Sequence, residues 1–289
     1  MEFSKPITKI IEERTSWRTY NDQSLDNKMR NKIIQILKLE GINSPFKNYA
    51  GNCRFELVNV PEFDPHERRK IGTYGMIAGA QEFIVGVCDK TKNDFGRENY
   101  GYLLELIILA ATDMGLGTCW LGGFFNRDLF SSKVNCGSNE EIPAITPIGY
   151  PKDRRFKEKL IRRAVKAKSR RSWENLFFQN NFNTPINKQE IGRYATLLEM
   201  VRLGPSAGNR QPWRIIKEEN NNVFHFYVAN PEGKIGSMYR KFVPLDIGIA
   251  VCHFDLCASQ FDIGGKWVFK QPMIDRAEGM KYIISWTET

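Results

Sequence analysis

Short polar side chains beside glycines mark the segment of this chain that is best suited to contact a ligand. Residues 204–214 end a predicted helix at Gly204, make a turn and begin a predicted strand. Ser206 and Asn209 lie close to glycines, which allow the backbone to approach a bound group. The same residues would also suit a plain turn that caps the helix. The segment alone leaves both interpretations open.

A basic run supplies the second candidate site. Residues 152–171 are dominated by Lys and Arg, and the only acids among them are Asp153 and Glu158. Such a run is typical of a surface for nucleic acid or acidic membranes, of a solvated helix face, or of residues that neutralise a cofactor phosphate. The run contains no known nucleic-acid-binding motif, which argues against nucleic acid as its partner.

Cysteine and histidine spacing argues against a metal site. The six cysteines include no CxxC pair, and the three histidines, His66, His225 and His253, are not clustered. Most of the cysteines lie in apolar runs, which favours free buried thiols in a reducing cytoplasm. A histidine among apolar residues is more often a core residue with satisfied hydrogen bonds than a catalyst. We therefore predict no metal ligand and no catalytic acid or base.

The composition is that of a folded protein with excess positive charge. The 289 residues are 42% hydrophobic and 26% charged, and the formal net charge is +9. This balance supports a hydrophobic core and excludes disordered, collagen-like and low-complexity classes. The longest apolar run, residues 103–111, contains Glu105 and is shorter than the ~18 residues of a membrane span. The N-terminus has no basic region followed by an apolar one, so no secretory signal is expected.

Helix and strand patterns must position these candidates. Hydrophobic spacing predicts helices over residues 7–14, 26–39, 100–114, 191–203 and 246–261. Apolar or alternating runs predict strands over residues 55–60, 83–88, 144–148 and 281–286, and a hairpin of residues 213–217 and 223–229. The basic run is then interpreted as a linker between two halves, residues 1–165 and 166–289.

Parts of the first half recur in the second half. Residues 115–120 resemble residues 262–267, and residues 14–20 resemble residues 170–175. A single repeat at about half the chain length indicates a duplication rather than a solenoid. Two similar halves in one chain suggest an internal two-fold axis, as in a fused homodimer.

Five motifs together resemble the flavin-dependent nitroreductase superfamily. Residues 205–213 resemble its PSxxNxQPW motif, and residues 14–20 resemble its N-terminal R-x-S-x-R/K-x-F/Y motif. Residues 110–122 resemble its LGLGTCWLG segment, residues 148–151 its I/L-G-Y-P and residues 168–170 its K-x-R. In the common family pattern PSxxNxQPW precedes LGLGTCW, whereas here it follows. This order resembles the branch of the superfamily whose single chain folds as a pseudo-dimer.

The resemblance implies an α+β fold, with a mostly antiparallel sheet flanked by helices and duplicated within one chain. It implies two intertwined halves around one FMN site. We expect one FMN per chain, because the loop near Ser44 and the turn at residues 262–265 are degenerate counterparts in a second site. The implied cofactor-binding residues are Arg14, Ser16, Arg18, Gly115, Leu116, Gly117, Thr118, Lys168, Arg170, Pro205, Ser206, Asn209 and Gln211.

Groups of these residues have different implied roles. The residues implied as phosphate ligands are Arg14, Ser16, Lys168 and Arg170, with Ser206 and Asn209 as further donors. Guanidinium groups suit this role because they hold phosphate oxygens bidentately. Arg18 would bind near the phosphate or stabilise the reduced flavin at its pyrimidine edge. Gly115 and Gly117 would bring backbone N–H groups near flavin N5, or would serve only to cap a helix.

The resemblance also implies an activity. An FMN-dependent oxidoreductase would pass hydride from NADH or NADPH through flavin to a nitroaromatic, quinone or similar small-molecule acceptor. The alternatives are a relative with narrower chemistry, such as dehalogenation or flavin fragmentation, and a flavin-binding or storage protein without turnover. We expect a cytoplasmic monomer with no nucleic-acid or membrane partner.

Overall fold

Two compact units make up the described chain. The computed structural model describes residues 1–62, 66–67, 70–91, 94–164, 166, 169–230, 233–274 and 279–289. The first unit comprises Met1–Lys5 and Glu13–Val165, and the second comprises Pro6–Glu12 and Lys166–Thr289. Helix α1 (Ile7–Glu13) therefore groups with the second unit except for its last residue. Each unit is an α+β assembly with its own five-stranded sheet.

An antiparallel sheet organises the first unit. Its helices are α2 (Asn27–Leu37), α3 (Gly96–Asp113), α4 (Arg127–Lys133) and α5 (Phe156–Ala164). Its strands are β1 (Cys53–Asn59), β2 (Glu82–Asp89), β3 (Gly117–Thr118), β4 (Glu140–Glu141) and β5 (Ile145–Gly149). The strand order is β1-β2-β5-β3, and β4 also pairs with β2. Seven of the eight residues of β2 are buried, which explains the nearly continuous apolar sequence of this central strand.

The second unit repeats this plan and adds a parallel edge strand. Its further helices are α6 (Tyr194–Leu203), α7 (Gly233–Ser237) and α8 (Val243–Gln260). Its strands are β6 (Phe177–Gln179), β7 (Trp213–Lys217), β8 (Val223–Ala229), β9 (Gly265–Val268) and β10 (Met280–Glu288). The strand order is β6-β7-β8-β10-β9, with β6 parallel to β7 and the other pairs antiparallel.

The two units share one order of elements. In each, a helix leads into two paired strands, a long helix, a short edge strand and a last strand that inserts between the second strand and the short one. The sheet orders β1-β2-β5-β3 and β7-β8-β10-β9 are therefore equivalent. This agreement confirms the expected duplicated α+β fold.

The ends of the two long helices repeat the same hydrogen bonds. After α3, Gly115 N donates to the carbonyl of Thr112 and Leu116 N to that of Ala111, both at 2.9 Å. After α8, Asp262 N donates to the carbonyl of Ser259 at 3.2 Å and Ile263 N to that of Ala258 at 2.9 Å. Gly115 and Asp262 both have positive φ, at 77° and 52°. Both ends are thus the same C-cap with a left-handed residue, although only the first uses glycine.

Most of the predicted elements are confirmed with ends shifted by a few residues, but two predictions are wrong. The basic run is not a plain linker, because α5 forms within it. The similarity of residues 14–20 to residues 170–175 does not extend to local structure. The first segment is extended and bridged to neighbouring strands, whereas the second runs into a 3-10 turn at Trp173–Asn175.

One helix of the second unit is long and apolar enough to meet a membrane-span criterion, which the sequence reasoning overlooked. It covers Arg240–Gln260, with a mean hydropathy of 1.5, and 72% of its apolar window is buried. Most of this segment is α8, in which His253 Nδ1 donates to the carbonyl of Met200 in α6 at 2.8 Å. This packing identifies it as a core helix.

Candidate functional site

The N-terminal motif lies against the short strand that follows α3. Trp17 N donates to the carbonyl of Thr118 at 2.8 Å, and Ser16 forms a parallel bridge with Thr118. A Cβ on Gly117 would lie 3.0 Å from the Cβ of Trp17, so glycine permits this close approach. The structure therefore brings together two motifs that the sequence predicts to share one site.

The first two residues of the glycine turn have a clear structural role. Gly115 and Leu116 use their N–H groups in the C-cap of α3. The simpler of the two sequence interpretations, a helix cap, therefore accounts for both residues. Thr118 is buried in the pairing with β5. Whether this turn also contacts a flavin stays a prediction.

Arg14 is buried beside an acidic residue of α3. Its Nε lies 3.7 Å from Glu105 Oε1, and both side chains are almost fully buried. Glu105 also accepts a hydrogen bond from Trp120 Nε1 at 2.7 Å. Arg14 Nε itself has no hydrogen-bond partner among the described residues. Glu105 therefore offsets the charge of Arg14 but leaves its Nε without a hydrogen bond, and an acceptor atom of a ligand would satisfy this buried donor.

Helix α5 carries further charged side chains to the N-terminal motif. Arg162 Nη1 donates to Thr15 Oγ1 at 2.9 Å and to the carbonyl of Ser16 at 3.3 Å. One turn earlier, the buried Glu158 accepts from Thr19 Oγ1 at 2.9 Å. These contacts attach the predicted linker to the segment that holds the predicted phosphate ligands.

Arg154 also lies beside the N-terminal motif. Arg154 lies over the ring of Trp17, with its Cζ 4.0 Å from the ring centroid, and its Nε is 3.2 Å from Glu158 Oε1. Glu158 and Arg162 are four residues apart and share one face of α5, and Arg154, just before the helix, is four residues before Glu158. Sequence reasoning missed Arg154 and Arg162, although this spacing was the available signal.

Four arginines therefore form one group, the arginine cluster: Arg14, Arg18, Arg154 and Arg162. Burial lowers the pKa of the Arg162 guanidinium, and the charges of the other three arginines lower it further, while Glu158 opposes them. The two buried carboxylates beside the cluster, Glu105 and Glu158, leave an excess of two positive charges. Arg18 Nε, like Arg14 Nε, is buried without a partner among the described residues.

The donor chemistry of the arginine cluster fits a phosphate group. A phosphomonoester carries close to two negative charges at neutral pH and offers several acceptor oxygens. The cluster has a matching excess of charge, and the Nε atoms of Arg14, Arg18 and Arg154 are buried without a hydrogen-bond partner among the described residues. Binding of a phosphate group by the cluster stays a prediction.

In the second unit, the predicted ligand loop is held by its own hydrogen bonds. Ser206 Oγ accepts from Gln211 N at 2.8 Å, and Ala207 N donates to Asp246 Oδ1 at 2.9 Å. Asn209 and Gln211 adopt positive φ angles of 55° and 49°. The loop is therefore a specific, left-handed turn rather than a flexible connection. Pro205, which precedes it, is half-buried.

Asn209 attaches this loop to the end of the basic run. Its Nδ2 donates to the carbonyls of Lys166 at 2.9 Å and Ser169 at 3.1 Å. Its Oδ1 accepts from Arg170 Nη1 at 3.3 Å. Arg170 in turn donates from Nε and Nη2 to the carbonyl of Leu203 at 3.2 and 3.0 Å. Lys168 lies outside the described residues.

Gln211 is fully buried and bonded at both ends of its amide. Its Oε1 accepts from Arg171 N at 2.5 Å, and its Nε2 donates to the carbonyl of Arg202 at 2.6 Å. The geometry therefore makes Gln211 an anchor of the loop. Binding of a cofactor by Pro205, Ser206, Asn209 and Gln211 stays a prediction.

Asp246, near the start of α8, supports the loop from within the second unit. It is almost fully buried, and this burial raises its pKa well above its usual range, while the hydrogen bond from Ala207 N opposes the shift. A protonated carboxyl accepts the same backbone hydrogen bond without placing a charge in the core. The loop therefore depends on an acid that is most easily buried in its neutral form.

The two core histidines have satisfied hydrogen bonds, as expected. His225 Nδ1 contacts Ser285 Oγ at 2.7 Å and its Nε2 contacts Glu218 Oε1 at 2.9 Å. Ser285 is only 1% exposed and also hydrogen-bonds to Tyr282 OH at 2.8 Å, so no substrate reaches its hydroxyl. Burial lowers the pKa of His225. The network is structural, and among the described residues no group of three or more His, Cys, Asp and Glu could hold a metal.

Comparison with known proteins identifies the class to which this fold and site belong, the nitroreductase superfamily. The family model described as Putative TM nitroreductase matches residues 6–258. The chain belongs to this family. No curated protein matches it.

One of the similar solved structures matches this chain over nearly its whole length and supports the fold. A nitroreductase from Thermotoga maritima shares 20% identity with a TM-score of 0.59, and the match covers 99% of this chain and 95% of that one. A nitroreductase family protein from Clostridium difficile 630 shares 20% identity and matches 53% of this chain and 87% of its own, with a TM-score of 0.42. An FMN-dependent nitroreductase from Clostridium difficile R20291 shares 23% identity over 50% of this chain and 88% of its own, with a TM-score of 0.40.

Proposed function

We propose that this chain is an FMN-dependent oxidoreductase that oxidises NADH or NADPH and reduces a nitroaromatic, quinone or similar small-molecule acceptor. The observation that carries the proposal is the arginine cluster, which supplies an unpaired excess of positive charge beside the family's N-terminal motif. Membership of a nitroreductase family supports flavin as the phosphate-bearing ligand.

Within the first unit, the arginine cluster would bind the FMN phosphate. Arg14 and Arg18 have buried Nε donors to offer. Arg162 is already oriented by Thr15, so it would add charge without a large loss of side-chain entropy. Ser16 would supply a hydroxyl donor. The protein would thereby hold the cofactor through its charged end and leave the redox chemistry to the flavin ring.

Bound FMN would supply the redox chemistry, accepting hydride from the nicotinamide and passing reducing equivalents to the acceptor. The chain would contribute position, charge and exclusion of water. This division of labour is consistent with the structural role of the two core histidines. We assign no side chain as a catalytic acid or base.

The second unit would contribute the loop that carries Pro205, Ser206, Asn209 and Gln211, with Lys168 and Arg170 from the end of the basic run. The structure supports a role for Asn209 and Gln211 in shaping the loop. Ser206 and Arg170 would then be the residues whose side chains donate hydrogen bonds to the cofactor. We propose one FMN per chain, since the first unit's Ser44 loop lacks the same motif.

An absorbance spectrum of the purified protein, followed by the ratio of released flavin to chain, tests the cofactor. Flavin absorbance with a ratio approaching one supports a single site. A ratio of two in a fully loaded sample would contradict the single site. A colourless protein that takes up no added FMN would refute the oxidoreductase.

Turnover separates the enzyme from its alternative, a flavin-binding or storage protein. Steady oxidation of NADH or NADPH that depends on a nitroaromatic or quinone supports the enzyme. Bound FMN that no nicotinamide reduces supports the storage protein. Comparing the two nicotinamides at equal concentration also decides which one the enzyme prefers.

We further infer that the protein acts as a cytoplasmic monomer without nucleic-acid or membrane partners. One chain carries both sheets, which supports a monomer. Part of the basic run contacts residues 15–19 of its own unit, which reduces the charge left for nucleic acid. Sedimentation at several protein concentrations tests the monomer. Tight, salt-sensitive binding to a random duplex would contradict the absence of a nucleic-acid partner.

A further inference from the structure

Two cysteines of the first unit lie opposite each other on neighbouring strands. Cys53 of β1 and Cys88 of β2 are Cα partners in the antiparallel register. The Cys53 thiol lies close enough to Cys88 to raise the pKa of the Cys88 thiol. Both are free cysteines. Neither belongs to the motifs or to the arginine cluster, so the proposed flavin chemistry makes no use of this pair.

The backbone hydrogen bonds place the pair where a disulfide fits best. Asp89 N donates to the carbonyl of Asn52 at 3.2 Å, so the residue pair next to the cysteines is hydrogen-bonded. At the far end of the ladder, Val60 N donates to the carbonyl of Gln81 at 2.7 Å, an even number of residue pairs away from the first bond. Because bonded and non-bonded pairs alternate in an antiparallel ladder, the cysteines form a non-hydrogen-bonded pair. Such pairs have Cα atoms about 4.5 Å apart, within the range of about 4.4–6.8 Å that disulfides span.

The two thiols differ in access to solvent. Cys53 is half-buried, whereas Cys88 is 2% exposed. Asn99 Nδ2 donates to Cys53 Sγ at 3.6 Å, and Cys88 Sγ lies 3.9 Å from Glu141 Oε1. A reagent in solution therefore reaches Cys53 first, and Cys88 lies opposite Cys53 on the neighbouring strand.

We propose that Cys53 and Cys88 form a redox-active dithiol that closes to a disulfide by exchange with a low-molecular-weight disulfide. Deprotonated Cys53 Sγ attacks one sulfur of the reagent, the reagent's S–S bond breaks, and one thiolate leaves and takes up a proton. Cys88, after losing its proton to solvent, attacks the Cys53 sulfur and releases the second thiol. The two cysteines lose two electrons and two protons, and the reagent becomes two thiols.

The environment of Cys88 suits the second step. The neighbouring Cys53 thiol is the largest cause that raises the pKa of the Cys88 thiol, followed by burial and the charge of Glu141, while Arg97 lowers it. The Cys53 sulfur of a mixed disulfide cannot ionise, so its formation removes part of this shift. Cys88 therefore ionises more easily once Cys53 has reacted.

Oxidised glutathione tests the proposal on the whole reduced chain. After incubation and alkylation of remaining thiols, peptide mass mapping should find residues 53 and 88 joined, with a mass lower by two hydrogens. The oxidised protein should also unfold at a higher temperature than the reduced protein, because the cross-link restricts the unfolded chain. The Tm difference should vanish in Cys53→Ser.

Two variants separate the dithiol from ordinary thiol reactivity. Cys88→Ser should accumulate a glutathione adduct on Cys53, since the resolving thiol is missing. Cys136→Ser removes another half-buried thiol and should leave the cross-link unchanged. A stable adduct on Cys53 of the wild-type chain, with no cross-link, would overturn the proposal. Modification of Cys136 while both strand cysteines stay reduced would overturn it as well.

Discussion

Arg162 donates from Nη1 to Thr15 Oγ1 at 2.9 Å, across 147 positions of sequence. This bond attaches α5 to the motif that the sequence associates with a cofactor phosphate. It also orients a guanidinium beside Arg14, Arg18 and Arg154, which lower its pKa. The basic run is therefore divided between a structural helix and a charged site.

Removing the charge of Arg162 should weaken FMN binding. A charge-assisted hydrogen bond is worth roughly 1.5–3 kcal/mol, so Arg162→Gln should raise the FMN dissociation constant roughly tenfold to a hundredfold. Fluorescence titration of the apoprotein with FMN measures the change. Arg163→Gln is the matched control, because Arg163 is exposed one residue away and should keep wild-type affinity. Equal losses in both variants would indicate a general charge effect rather than a site.

Arg14→Ala and Ser206→Ala test whether residues from both units bind one flavin. Each should release FMN on gel filtration while the far-ultraviolet circular dichroism spectrum stays unchanged. Arg14 Nε is a buried donor without a hydrogen-bond partner, so Arg14→Ala should release more FMN than Ser206→Ala. Ser138→Ala, at an exposed serine, is the control for Ser206→Ala. Whichever variant retains wild-type affinity identifies a residue that does not bind the cofactor.

Gln211→Ala should destabilise the protein even without FMN. Gln211 is fully buried, and its loss leaves Arg171 N and the carbonyl of Arg202 without their partner. We expect a decrease of roughly 1–3 kcal/mol in the free energy of unfolding, measured with urea on the apoprotein. Gln189→Ala, at an exposed glutamine, should change it little. An unchanged Gln211→Ala midpoint would mean that the loop tolerates the loss of this anchor.

Asp246 should make stability fall as pH rises. Burial raises the pKa of the folded Asp246 carboxyl well above that of an exposed aspartate, so the folded state holds a proton that the unfolded state releases. The penalty begins as pH rises through the unfolded pKa and levels off above the folded one. Asp246→Asn keeps an acceptor for Ala207 N and should gain stability relative to wild type with rising pH. Urea midpoints from about pH 4 to about pH 8 measure this difference. A constant difference across that range would show that Asp246 does not titrate in this way.

The sequence by itself determined the class of protein and most of the regular structure. Local motifs such as those at residues 14–20 and 205–213 need only residue types and spacing to be recognised. Long periodic segments, including the strand at residues 83–88 and the helix at residues 246–261, are specified by their own apolar patterns. The duplication was visible because residues 115–120 and 262–267 are similar in sequence.

The tertiary structure decided which residues share a site. No local pattern pairs Arg162 with Thr15 or Cys53 with Cys88, since these contacts depend on how distant elements pack and on strand register. The N-terminal helix groups with the second unit for the same reason. Gln211, which the motif implied as a cofactor ligand, is bonded at both amide atoms to its own unit. Side-chain type indicates the chemistry that is available, whereas burial and distance decide which partner each group meets.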